Sequence, residues 1–274
     1  MARAVRVTAK PSKPPAKKRA APVKAPALAK PKANHSAANA ATKAAAKPKV
    51  IGKPKPRAKL SAKDEAARVQ AIVDGLEALY PKAHCELDFE TPFQLLVATI
   101  LSAQCTDKRV NLVTPVLFAK YPTPSAMAEA TTSEIEPIIQ STGFFRNKAK
   151  SILGAARVLM DDFAGVVPQT MDELLTLPGV ARKTANVVLG SAFGINVGFV
   201  VDTHIMRLSD RLHLAQPTED PIKIERELCA LLPQPKWTKI GHQLIWHGRR
   251  VCAARKPLCH ACTLAPNCPS AGVV

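Results

Sequence analysis

Lys183 stands beside Arg182 in the stretch "LPGVARKTANVV" (177–188), at the start of an expected helix. A helix N-terminus carries the positive end of the macrodipole, so acidic residues are favoured in that turn. Two cations there ask for a chemical reason. The dipole, and any partial burial, disfavour the ammonium form of Lys183. A neutral lysine amine is a nucleophile; a protonated one is a phosphate contact. Asp202, in "VVDTHIM", opens the next expected helix as its N-cap and could also pair with that amine. The helix expected over 182–193 rises about 16 to 18 Å. Residues 194–201 can span roughly 26 Å when extended, so the chain can return along the helix and bring Asp202 beside Lys183.

The turn before Lys183 suits an anion. Gly179 allows a close backbone approach. The amides of Val180, Ala181 and Arg182 are expected to lack intrahelical partners and, with the dipole, to form a phosphate site.

A second chemical cluster closes the chain. Cys252, Cys259, Cys262 and Cys268 are spaced C-x6-C-x2-C-x5-C. Four thiolates this close favour a soft metal centre, zinc or an iron–sulfur cluster, and the spacing alone leaves both open. Arg255 and Lys256 lie inside this loop, with Arg249 and Arg250 just before it. These cations could meet a phosphate backbone or offset the thiolate charge. Cys85, Cys105 and Cys229 are scattered. No apolar signal region comes after the first Met, so the pattern suggests a reduced compartment with one metal site.

The elements that must position these groups are helical. Period-3.6 patterns predict a first helix over 63–80, ended by Pro81, and a second opened by Thr91 and Pro92. The second is apolar almost all round and is expected in the core. Further helices are predicted over 107–120, 125–129, 132–140, 147–163, 171–176, 182–193, 203–212, 221–232 and 237–249. The only strand-like run, "NVGFVVDT", is too short to build a sheet. The fold is therefore expected to be all-α, with two lobes. Residues 1–60 hold 17 Lys plus Arg and no Asp or Glu, and the remaining 214 residues are almost neutral. That Lys/Ala/Pro-rich tail is expected to be disordered and to meet an anionic polymer. No apolar stretch reaches about 18 residues, so no membrane span is expected.

Taken together, "LPGVARKTANVVL", "VDTHIMRLSDRL", "LLVATILSAQCTDKRVN" and the cysteine spacing resemble the endonuclease III family. These are helix-hairpin-helix, iron–sulfur DNA glycosylase/AP lyases of base excision repair. The resemblance runs from about Lys63 to Pro269. It implies a six-helix barrel lobe over 85–195 and a [4Fe-4S] cluster lobe built from 61–84 and 196–274. Double-stranded DNA with damaged pyrimidines or abasic sites would bind between them, with the target nucleotide flipped out. Lys183 matches the family's nucleophile and Asp202 its catalytic carboxylate. Gln104 matches the residue that fills the space left by the flipped base. Phe144 stands where the family has a leucine wedge, and an aromatic ring can also unstack a base step. Ala181 stands where the hairpin usually has glycine, which predicts a negative φ there. The resemblance further implies a monomer in a bacterial cytoplasm, associated with the nucleoid.

Two other readings use the same residues. One is a monofunctional mismatch glycosylase of the same superfamily, with water as nucleophile. The other is a non-catalytic iron–sulfur DNA-binding protein. Lys183 and Asp202 together favour the lyase.

Overall fold

The computed structural model describes residues 60–274; the basic tail lies outside the described residues. Among these residues the chain is helical, with no strand. The helices are α1 (Ala62–Leu79), α2 (Pro92–Leu101), α3 (Asp107–Lys120), α4 (Pro124–Ala128), α5 (Thr132–Ile139), α6 (Phe145–Phe163), α7 (Met171–Thr176), α8 (Arg182–Phe193), α9 (Thr203–Arg211), α10 (Pro221–Leu231) and α11 (Trp237–Arg250).

Short polar side chains start most of them. Ser61, Thr91, Thr106, Thr123, Thr170, Asp202 and Asp220 each accept a bond from a first-turn amide. Glu134 reaches back to the Thr131 amide at the start of α5 (3.0 Å). Such caps satisfy amides that the helix itself leaves open. Helices α6 and α8 have no side-chain cap, and Phe144 and Ala181 occupy their cap positions. Helix α6 starts two residues before the 147 that periodicity predicts. Phe144 takes a left-handed conformation (φ 48°), a turn that the pattern "FFRNKAK" does not announce.

Two separate apolar cores result. The first gathers α2 through α8. Helix α2 runs through its middle, with Leu95, Leu96 and Leu101 fully buried. Each is worth roughly 2 kcal/mol of removed apolar surface. The second core joins Ile72 and Leu76 of α1 to Phe199, Ile205, Leu208, Leu228 and Leu244. The start of the folded chain is thus packed against its C-terminal third. Helix α8 belongs to the first core but passes close to α11. A Cβ added at Gly190 would overlap the Thr238 side chain, so glycine there lets the two lobes meet.

A candidate active-site cleft

One cleft is walled by both lobes. Thr99 and Ser102 of the α2 end, Asp107 of α3, and Lys183 and Val187 of α8 come from the first. Asp202, His242, Trp246 and Arg249 come from the second. The cleft therefore joins the lysine and the aspartate that the sequence singles out.

The return path that brings Asp202 back is visible. Gly194 ends α8 in the left-handed region (φ 69°). The Asn196 Oδ1 then accepts bonds from the amide and the hydroxyl of Thr238 (2.9 and 2.6 Å). Farther along, Asn186 Nδ2 donates to the Phe199 carbonyl (3.4 Å). Asp202 comes next as the cap of α9, its Oδ1 accepting from the amides of His204 and Ile205 (2.9 and 2.8 Å). Its Oδ2 has no hydrogen-bond partner among the described residues.

Lys183 is exposed, contrary to the partial burial expected from its position. The residue opens onto the cleft rather than into a core. Its amine has no hydrogen-bond or ion-pair partner among the described residues.

The hairpin before it differs from expectation in two details. The Val180 amide is not free: it donates to the Leu177 carbonyl (3.1 Å), closing the turn, and the Val180 side chain is buried. Arg182 is not a free cation either. Its guanidinium makes two bonds to the buried Glu225 carboxylate (2.8 and 2.9 Å), which Asn186 also reaches (3.0 Å). One of the two unexpected cations therefore neutralises a buried acid, and only Lys183 faces the cleft. Ala181 sits at φ −103°, ψ 169°, the negative φ expected. Gly179 carries the strained position instead, at φ 80°. A Cβ there would lie 2.6 Å from that of Ser151, so glycine is required twice over.

Gln104 and Phe144 both stand on exposed loop tips in the left-handed region, at φ 53° and 48°. Phe144 is 65% exposed, an unusual place for a phenyl ring.

Several cleft residues carry no signal in the sequence. Arg249, one of the two cations just before the cysteine loop, turns the other way. It pairs with Asp107 (2.8 Å) and Glu86 of the first lobe. Arg250 stacks over Trp246 (3.8 Å). Burial, with His84 and Arg249 nearby, pushes His242 down to about 4. Burial likewise pushes the Cys85 thiol up. His242, Trp246 and Arg249 share one face of α11 at i, i+4, i+7 spacing, but Cys85 and Asp107 join them from far earlier in the chain, which no spacing announces.

The four C-terminal cysteines line a second cavity, with Arg211, Leu212, His247 and Leu258 around them. All four are unpaired by disulfides. Arg211 Nη1 donates to Cys252 Sγ (3.3 Å), and its guanidinium also holds the carbonyls of Ala253 and Ala254. His247 Nε2 lies 3.6 Å from Cys262 Sγ. Among the described residues, no three Cys, His, Asp or Glu side chains are gathered tightly enough for one ion. Four thiols lining one cavity are a soft donor set of the kind that thiolate-bound metal centres use. Arg255 and Lys256 sit exposed on the loop that this cavity folds.

Known proteins resemble this chain in sequence and fold. Residues 97–234 match the model of the HhH-GPD superfamily base excision DNA repair proteins. Endonuclease III of Synechocystis sp. is 60% identical over 215 residues, 78% of this chain and 96% of that protein. Endonuclease III of Escherichia coli is 39% identical over 205 residues, 75% of this chain and 96% of that protein. Among solved structures, a trapped endonuclease III–DNA covalent intermediate superposes with a TM-score of 0.71 at 41% identity, covering 74% of this chain and 95% of that one. By the extent of these matches in sequence and fold, the chain belongs to the HhH-GPD superfamily and, within it, to the endonuclease III family.

Proposed function

We propose that this chain excises oxidised pyrimidines from duplex DNA and then nicks the strand, with Lys183 as nucleophile and Asp202 as its carboxylate partner. The observation that carries the assignment is that both residues line one cleft between the lobes. The Lys183 amine nitrogen attacks C1′ of the target sugar. The C1′–N bond breaks, and the base leaves with the bonding electrons and collects a proton. The ionised Asp202 stabilises positive charge developing on the sugar, as a carboxylate does in glycoside hydrolysis. Loss of the amine proton and ring opening leave a Schiff base between Lys183 and C1′. A proton then leaves C2′, and the C3′–O bond breaks to release the phosphate. The related trapped endonuclease III–DNA covalent intermediate supports a covalent step in the reaction.

The other residues hold the DNA. The amides of Gly179, Ala181 and Arg182, with the Val180 turn that shapes them, meet a phosphate at the positive end of α8. Gln104 fills the gap left by the flipped base, and Phe144 wedges into the stack. Cys252, Cys259, Cys262 and Cys268 would hold a [4Fe-4S] cluster. When bound, it cross-links the loop that presents Arg255 and Lys256 to the backbone. The enzyme acts as a monomer on DNA carrying damaged pyrimidines or abasic sites, in a bacterial cytoplasm at the nucleoid. No helix among the described residues is long and apolar enough to cross a membrane.

Borohydride reduction on a duplex with one oxidised thymine tests the assignment. The wild-type chain should form a covalent adduct, and Lys183→Ala should form none. Base release without an adduct from the wild-type chain would mean a water nucleophile instead.

A further inference from the structure

Among the described residues, Lys148 is the one lysine that the first core swallows, at 5% exposure. Its ammonium donates to two carbonyls, Leu101 and Thr142, each at 2.8 Å. Leu101 is the last residue of α2, and Thr142 ends the short 3₁₀ turn after α5. Carbonyls at helix ends carry partial negative charge and suit a cation. Burial opposes the charge and holds this amine below the ordinary lysine range.

Each of these carbonyls stands just ahead of an exposed tip. Three residues beyond Leu101 the chain turns left-handed at Gln104; two residues beyond Thr142 it does so at Phe144. The Lys148 amide also donates to the Phe144 carbonyl (3.1 Å), the first helical bond of α6. One buried side chain thus ties together the roots of two exposed, strained tips that are far apart in sequence. We infer that Lys148 is a positioning residue, fixing the distance between Gln104 and Phe144 so that both side chains enter the duplex together. The inference rests on the roles proposed above for those two residues.

The test is Lys148→Met, which keeps the side chain's length and removes both bonds. On a paired lesion, single-turnover excision should fall about tenfold or more, since a misplacement near 1 Å can cost that much. A single-stranded oligonucleotide with an abasic site needs no flipping, so its cleavage should stay within about twofold; a folding defect would lower both. In a Gln104→Ala, Phe144→Ala background, Lys148→Met should add no further loss on the duplex. Equal losses on the two substrates, or a full additional loss in that background, would overturn the inference. If Gln104→Ala, Phe144→Ala alone left duplex excision intact, the roles of the two tips would fail, and the inference with them.

Discussion

The two lobes reach stability by different means. The first, built from consecutive elements, has a core of leucine, isoleucine and valine around α2. Its buried hydroxyls bond locally, Thr99 to the Leu95 carbonyl and Thr142 to the Ile139 carbonyl. The second is assembled from the two ends of the folded chain, and buried polar groups stitch it together over long distances. Arg68 of α1 holds the carbonyls of Leu212, His213 and Asn267. Gln243 of α11 reaches Glu77 and the Tyr80 carbonyl. Arg207 holds the carbonyls of Cys252 and Gly248. A consecutive helical bundle can rely on oily packing. A lobe that ends in a cysteine loop of short 3₁₀ turns has loose carbonyls to satisfy, and arginine, with five donors, satisfies several at once.

This contrast can be broken or sharpened by measurement. The largest change should come from the first lobe. Leu96→Ala, at a fully buried position, should cost about 3 to 4 kcal/mol in urea unfolding by opening a cavity that helices cannot readily refill. Arg68→Met should cost somewhat less, about 2 to 3 kcal/mol, because carbonyls lose a charged donor. Its mark should be early proteolysis within 250–274 while 92–193 stays protected. Protection lost evenly across the chain would mean that the lobes are not separately held. The smallest effect concerns pH. His242 is held at about 4 against an ordinary 6.5. Above 6.5 it is neutral in both states. As pH falls from 6.5 to 4, only the unfolded chain gains the proton, so stability drops, on the order of 2 kcal/mol after allowing for partial exposure. His242→Gln should flatten that drop between pH 7 and pH 5; an unchanged slope would assign it elsewhere. His247, also pushed by burial to about 4, accounts for part of what remains.

Local order was legible in the sequence. Thr91–Pro92 and Asp202 announced helix starts, the bounds of α3, α7 and α8 came from period and breaks, and the all-apolar α2 proved to be buried as expected. The joint presence of Lys183 and Asp202 in one cleft is allowed by helix length and the reach of residues 194–201. What could not be read was which cations pair with which acids across the fold. The commitment of the Arg182 side chain was hidden because its partner, Glu225, is 43 residues away. Arg249 was read with the basic residues around the cysteine loop, because Glu86 and Asp107 arrive from far earlier in the chain. Ion pairs of that kind depend on the tertiary path, and periodicity carries no information about it.

The inward turn of Arg182 bears on how such a protein searches. With the guanidinium committed to Glu225, the hairpin offers main chain outward, and main chain is blind to the letters of the genome. If that main chain meets phosphates as proposed, such a grip would hold every stretch of double helix equally well. Discrimination would then be left to whatever nucleotide can be persuaded to leave the stack, so one catalyst could patrol a whole chromosome for chemical injury regardless of where it falls.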